Sequence, residues 1–473
     1  MDSFDVAVIG GGSAGYAAAR TAHEAGARVA IIDQGPLGGL CILRGCMPSK
    51  AILRSAEILS YMRRTKEFGL LNVVPQADLN AIMNRKESLI NEFAEYRVQQ
   101  LRDNRFTLFE SNASFVSPTE LRVGDVNLTT SQAIIATGSS IQSVNIPGLE
   151  SAGYITSDDA LELRIPPKSM LVFGGGPTAL ELAQFYCRIG TNVTLIQRSN
   201  HVLSSGDKDL ALPLEKQLRS EGMKIFTGCQ IEKIEREEKM RVAHFTQNGL
   251  SKKSSAEVIL LAVGRRPNID LLGLENADIK IENGKIIVNS EMRTSQRNIF
   301  AVGDVNGLHE VVHEAIIQGE IAGYNATQKR KDARNIENNL PIKITFTDPQ
   351  IASVGLSEKD CLTKHIPYLS ASYPFNDHGK SMCLGETNGH VKLICCKNTL
   401  RIIGAHIVGP EASEIIHELV AIMYFKGTAG DILKIPHYHP TLAEILTYPA
   451  EEVIEQFKIN LNTAVLDKED MSY

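Results

Sequence analysis

The chain has 473 residues, 43% of them hydrophobic and 22% charged, with a formal net charge of −6. That balance gives no basic surface for nucleic acid or an anionic membrane, and no apolar run reaches transmembrane length. The length suggests about three domains, and MDSFDVAVIG enters a strand at once without the basic segment of a secretory leader, so a reducing, cytoplasmic setting is expected, where disulfides are catalytic or regulatory.

The opening segment DVAVIGGGSAGYAAARTAHEAGARVAIID reads as strand, glycine turn, amphipathic helix and strand, a parallel βαβ unit. Gly10, Gly12 and Gly15 let the backbone approach a pyrophosphate, which then sits on a helix N-terminus. Asp33, 23 residues after Gly10, ends the second strand, where a carboxylate accepts hydrogen bonds from a ribose diol.

GGLCILRGCMPSK follows, with four residues between Cys41 and Cys46. In a regular helix that spacing is about 7.5 Å of rise, beyond the roughly 7 Å Cα limit for a disulfide. A bridge needs a distorted first turn, which Gly45 permits, with Pro48 opening the helix that continues. Cys46 lies at that helix's N-terminal end, where the dipole lowers a thiol pKa. So short a loop removes little chain entropy, so a redox pair is a better reading than a structural staple.

Helical patterns cover residues 48–66 and 80–102, and QAIIATGSS is a buried strand with Thr137 and Gly138 at its end. About 160 residues after the first unit, SMLVFGGGPTALELAQFYCRIGTNVTLIQRS repeats the βαβ pattern with Gly174, Gly176 and Ala179 in the glycine positions. The offset that gave Asp33 here gives Gln197, followed by Arg198. A guanidinium pairs with a 2′-phosphate that a carboxylate would repel; Arg198 is otherwise a solvated strand-end residue. NADPH is therefore expected to serve at least as well as NADH. VILLAVGRRPN, with Gly264, and NIFAVGDVNG are further strands that end in glycine.

His309-Glu310-x-x-His313 matches the HExxH pattern of zinc hydrolases, but GxxH does not follow and Glu337 is a distant third ligand, so no metal site is expected. From about Leu340 a mostly antiparallel sheet with packed helices is expected, and the polar tail after Lys458 is expected to fray. Cys187, Cys229, Cys361 and Cys383 read as structural. Consecutive Cys395 and Cys396 should face opposite sides of a strand, with a vicinal metal trap as the alternative.

Together GGxCxxxGCxP, the Ala136–Gly138 ATG, AxGD at Ala301–Asp304 and HPTLAE at His439–Glu444 resemble the class I pyridine nucleotide–disulfide oxidoreductases over nearly the whole chain. The resemblance implies an α/β fold of two Rossmann-like dinucleotide-binding domains plus a C-terminal α+β dimerisation domain. Expected boundaries are 1–149 for FAD, 150–272 for NAD(P), 273–340 returning to the FAD domain and 341–473 for dimerisation. Gly10, Gly12, Gly15 and Asp33 would hold the adenosine end of FAD and Asp304 its ribityl chain. Lys50 would pair with Glu181 beside the flavin. Cys46 would contact the flavin and Cys41 would exchange with substrate. His439, oriented by Glu444 and supplied by the other subunit of a homodimer, would move the proton. His313 matches a histidine common in dihydrolipoamide dehydrogenases.

The implied activity is FAD- and NAD(P)-dependent exchange with a small dithiol or disulfide, most like dihydrolipoamide dehydrogenase and open to a 2-oxo acid dehydrogenase complex. Alternatives are an NADPH-dependent reductase of a low-molecular-weight disulfide, such as glutathione disulfide, and a mercuric reductase-like enzyme. Arg20 matches a glutathione-contacting arginine of glutathione reductase; of that enzyme's two phosphate-binding arginines only one has a counterpart here, and the second falls on Ser204. Pro177 replaces a bulky cover of the nicotinamide pocket, so some NADPH oxidase activity is expected.

Overall fold

The computed structural model describes residues 2–336 and 340–470. Its contacts divide the chain into two units. The first comprises Met1–Ile52, Asn80–Val144 and Gly264–Asn339; the second comprises Leu53–Leu79, Asn145–Val263 and Leu340–Tyr473.

The first unit is built on a seven-stranded sheet. Asp2–Ile9 lies between Val29–Ile32 and Val126–Ile135, parallel to both, with Ala7 level with Ala30 and Ala133. Ile299–Ala301 adds a parallel strand beyond Val126–Ile135. Successive side chains on a strand point to opposite faces. Val6 and Val8 therefore pack with Ala18 and Ala22 of the helix Ser13–Glu24, while Ala7 and Ile9 join Phe115 and Leu128 on the other face. Central strands buried on both faces read as unbroken apolar runs, as VAVI and VAII do. Chain from beyond residue 263 rejoins this unit where Arg265–Pro267 pairs with Ser139–Ile141.

The second unit contains a five-stranded parallel sheet in which Ser169–Phe173 lies between Asn192–Ile196 and Val258–Leu261. A three-stranded antiparallel sheet over Cys229–Ala256 interrupts the βαβ pattern; nothing in the sequence reading anticipated it, because its outer strand LSKKSSA is mostly exposed and polar. From Ile342 a five-stranded, wholly antiparallel sheet forms as expected. Its core includes Phe375, Leu393, Ile407, Ile416 and Leu419. Cys395 is buried and Cys396 half-buried, on opposite faces of the strand His390–Cys396. The last helix spans Thr447–Asp470.

Inside this unit Lys392, 2% exposed, places its ammonium 2.8 Å from Asp207, 2.9 Å from Asp209 and 3.1 Å from Glu358. Asp207 also accepts hydrogen bonds from the backbone N–H groups of Glu358 and Lys359. One cation thus ties the start of the helix Lys208–Ser220 to the C-terminal sheet. Burial works to raise Asp207 and Asp209, but Lys392 and the Glu358 and Lys359 N–H groups hold Asp207, and His390 then Lys392 hold Asp209, below the ordinary carboxylate range. A carboxylate with a depressed folded pKa contributes stability above its unfolded value, near pH 4, and loses it as pH falls.

Removing the ammonium leaves Asp207 and the part-exposed Asp209 and Glu358 without their counter-charge, so Lys392→Met is expected to cost about 1–3 kcal/mol in urea unfolding near neutral pH. The penalty should shrink as pH drops below about 4, where the acids protonate. An unchanged urea midpoint at pH 7 would show that the cluster does not stabilise the fold.

Candidate functional site

The glycine turn of the first unit is closed to side chains at Gly10 and Gly15. Gly10 has φ +107°, and a Cβ there would lie 2.3 Å from the Ala136 carbonyl; one on Gly15 would lie 1.8 Å from the Gly10 carbonyl. The helix Ser13–Glu24 starts at Gly12 with no side-chain cap and no acid in its first turn. Its leading N–H groups suit an anion, as at other helix N-termini. Asp33 is clamped beside them: its Oδ2 accepts from Gly11 N–H at 2.6 Å and its Oδ1 from Gly35 N–H at 2.7 Å.

Two other predicted pieces close on this turn. A Cβ on Gly303 would stand 3.2 Å from the Ala14 methyl, so Asp304 follows a segment packed on the start of the helix. Asp304 Oδ2 accepts from the Ser139 hydroxyl at 2.6 Å, and Arg265 donates to that same hydroxyl at 2.8 Å. Thr137 and Gly138 are locked by Asn268, which donates to the Thr137 carbonyl and accepts from its hydroxyl. The pairing of Ser139 and Arg265 with Asp304 was not legible in the sequence, since 126 residues separate the first two.

The cysteine segment also abuts the glycine turn, because a Cβ on Gly39 would lie 2.7 Å from Gly12 Cα. The short helix Gly39–Arg44 ends at Gly45, whose backbone (φ −127°, ψ −113°) is not helical, and a new helix begins at Cys46. A Cβ on Gly45 would stand 3.0 Å from the Leu40 carbonyl and 3.2 Å from Cys41 Cα. This is the distortion that the spacing required. The Ser49 hydroxyl secures the break by donating to the Gly45 carbonyl at 2.8 Å. Pro48 sits in the first turn, where no N–H is missed.

Both sulfurs are thiols here, Cys41 half-buried and Cys46 exposed. A hydrogen bond to Cys46, then burial, pushes the Cys41 thiol far above its ordinary range, and the Lys50 charge opposes this weakly.

The second unit repeats the glycine geometry. Gly174 has φ +120°, with its absent Cβ 2.2 Å from the Ala262 carbonyl. The helix Pro177–Arg188 starts at Gly176 without a side-chain cap and carries exposed Pro177 at its first position. Ala179 is fully buried, and Glu181, 4% exposed, accepts from Phe346 N–H at 2.9 Å. Gln197 folds over Gly175 as Asp33 does over Gly11. Arg198 is exposed, with no ion pair among the described residues. Gly264, with φ +122°, marks the return of the chain to the first unit.

Near the C-terminus His439 is 79% exposed, and its Nδ1 lies 2.9 Å from Glu444 Oε2. That contact leaves Nε2 of the ring for an external group. Neighbouring His437 is engaged elsewhere, with Glu418. The carboxylate of Glu444 also faces His378, a buried residue that sequence reasoning missed. Its 66-residue separation from Glu444 follows no period.

The HExxH reading does not survive the fold. The helix begins at Val312, so His309 and Glu310 precede it and only His313 lies on it. No group of three metal-binding side chains occurs among the described residues, and Glu337 lies outside them. Arg20 is held by Glu320 at 2.6 Å.

Comparison with known proteins shows the family and the fold. Residues 4–319 match the pyridine nucleotide-disulphide oxidoreductase family, and residues 342–450 match its dimerisation domain. The chain is 34% identical over 450 residues to a dihydrolipoyl dehydrogenase of Geobacillus stearothermophilus, covering 94% of this chain and 95% of that one. It is 32% identical over 449 residues to a mercuric reductase of Staphylococcus aureus, covering 94% and 82%. Among solved structures, the Cu(II) complex of the HOCl-induced flavoprotein disulfide reductase RclA from Escherichia coli has the same fold, with a TM-score of 0.85 at 24% identity over 96% of this chain and all of that one.

The Cys41 geometry makes a signed prediction. Cys46→Ser removes the partner that raises the Cys41 pKa, so Cys41 in the reduced variant should ionise at lower pH than in the reduced wild type. The pH dependence of Cys41 alkylation, read by peptide mass spectrometry, measures it; an unchanged or higher Cys41 pKa would contradict the pairing.

Proposed function

This chain belongs to the pyridine nucleotide–disulphide oxidoreductase family, and on that premise we propose that it exchanges electron pairs between a nicotinamide dinucleotide and an external dithiol or disulfide through Cys41 and Cys46, in the manner of a dihydrolipoamide dehydrogenase. The observation that carries the proposal is the hydrogen-bonded cysteine pair held at a helix break against an uncapped glycine turn.

The family works with FAD and a nicotinamide dinucleotide. The first unit's residues fit FAD: the cradle around Gly10, Gly12 and Gly15 has no room for side chains at its tight points, its helix N-terminus is uncapped, and Asp33 stands fixed beside it. Asp304 would serve the ribityl chain. When bound, FAD supplies the two-electron relay between nicotinamide and the cysteine pair. We assign residues 1–149 and 273–340 to the FAD domain, 150–272 to the NAD(P) domain and 341–473 to dimerisation. Gly174, Gly176 and Ala179 would receive the nicotinamide dinucleotide. Lys50, Glu181 and His313 would be further cofactor-binding residues.

The thiol chemistry belongs to the chain itself. When an external disulfide is reduced, the Cys41 thiolate attacks one of its sulfurs, giving a mixed disulfide and a leaving thiolate that takes up a proton. The Cys46 thiolate then attacks Cys41, forming the Cys41–Cys46 bridge and releasing the second thiolate. Dithiol oxidation runs the same steps backwards. His439 would hold and deliver these protons, with Glu444 fixing its tautomer. The dimerisation-domain match supports a homodimer, in which His439 would act on the other subunit's cysteines. Membership of a 2-oxo acid dehydrogenase complex fits the dihydrolipoyl dehydrogenase relatives.

Exposed Arg198 beside Gln197 favours a second reading at the nucleotide: NADPH, as in reductases of small disulfides. The Arg20–Glu320 ion pair weakens glutathione disulfide as the substrate, because that guanidinium is already engaged. No described feature favours mercuric ion over a disulfide.

A turnover panel of lipoamide, glutathione disulfide and other disulfides with NADPH and NADH tests the proposal. Cys46→Ser should keep FAD and lose disulfide turnover, and full turnover in that variant would end the cycle. NADPH should give a kcat/KM at least equal to that of NADH. Arg198→Ala should lower the NADPH value about tenfold while sparing NADH, roughly the worth of one charge-assisted contact.

A further inference from the structure

His378 lies between the 3₁₀ turn Phe375–Asp377 and the short helix Gly379–Leu384, and it has no solvent exposure. Its Nδ1 is 2.8 Å from the hydroxyl of Ser381, which is equally buried. Its Nε2 is 3.3 Å from Glu444 Oε1, a contact of ion-pair length without the alignment of a hydrogen bond. The other oxygen of that carboxylate, Oε2, lies 2.9 Å from His439 Nδ1. One carboxylate therefore stands between two imidazoles, one fully buried and one 79% exposed. Phe375 and Tyr448 meet the His378 ring edge to face, and Tyr448 stacks on Tyr373 at 4.1 Å, so the ring has little freedom to turn.

We propose that His378 is a positioning residue for the Glu444–His439 pair: with Ser381 donating to its Nδ1, it sets Nε2 at contact distance from Glu444 Oε1 and steadies the carboxylate with Oε2 on His439. The inference rests on the proposed function only in that His439 is the group that exchanges protons with the external thiol.

The assignment follows from the chemistry of the neutral ring, in which one nitrogen donates and the other accepts. The Ser381 hydroxyl is able to donate to Nδ1, whereas Glu444 as a carboxylate only accepts, so the favourable tautomer carries its proton on Nε2. Burial keeps the ring neutral by lowering its pKa, and the Glu444 charge opposes this only in part. The titratable groups facing the ring are Glu444, His439 through that carboxylate, and the Tyr448 phenol; Phe375 is apolar and Ser381 does not titrate in this range. A braced carboxylate stabilises the His439 imidazolium, and a carboxylate free to rotate into water does so less.

The test uses the FAD-loaded, full-length protein with dihydrolipoamide as the probe. His378→Leu should slow dithiol oxidation about tenfold or more, as misplaced proton-transfer groups do, and should move the acid limb of its pH profile to lower pH. Flavin reduction by NADPH in the same preparation should be unaffected, which separates this effect from misfolding. His378→Gln, whose amide reaches to the place of Nε2, should recover part of the rate. Ser381→Ala should give a weaker version of the same pattern, and in a Glu444→Gln background His378→Leu should add no further loss. An unmoved acid limb, a full additional loss in the Glu444→Gln background, or an equal loss in flavin reduction would overturn the proposal. A wild-type protein inert towards every dithiol and disulfide would instead strike at the proposed function.

Discussion

The active segment depends on a helix that does not run straight. A regular helix would hold Cys41 and Cys46 too far apart for a bridge. The break at Gly45 folds the chain back on Cys41, at a distance where a Cβ would stand only 3.0 Å from the Leu40 carbonyl. From that one interruption follow the pairing of the sulfurs, the raised proton affinity of Cys41 and the fresh helix N-terminus that begins at Cys46.

Around the break, each neighbour is placed by close backbone contact. Gly39 meets Gly12, Gly10 meets Ala136, and Gly303 meets Ala14. Four stretches distant in sequence thus converge on one helix start, and side-chain hydrogen bonds through Asp33, Ser139 and Asn268 fix them there. The first unit spends its conformational restrictions where it needs an anion cradle. The second unit uses the same architecture with a different polar residue, Gln197, over the equivalent glycine. The likeness between the two βαβ segments is therefore physical as well as textual.

The C-terminal half follows another logic. Its buried polar residues form paired clusters rather than backbone cradles. Lys392 draws together acids from two helix starts, and Glu444 lies between His378 and His439. Such groups remain buried only when partnered, so a histidine with no solvent exposure implies partners close by. In the His378–Glu444 arrangement, packing from Phe375 and Tyr448 restrains the ring at one end of the relay while the other end opens to solvent.

Family resemblance supplied the His439–Glu444 pairing; the sequence alone determined the two βαβ units, the glycine positions, Asp33, and the cysteine pair with its required break. Each is a local pattern: apolar periodicity, a glycine demanded by close approach, or two groups within a few residues. Of HExxH, from which no metal site was expected, only His313 lies on the helix that begins at Val312. Only the tertiary structure joined Arg265 and Ser139 to Asp304, Lys392 to Asp207, and His378 to Glu444. Those partners are separated by tens to hundreds of residues, and no periodicity carries information across such a gap; the sheets that bring them together had to form first.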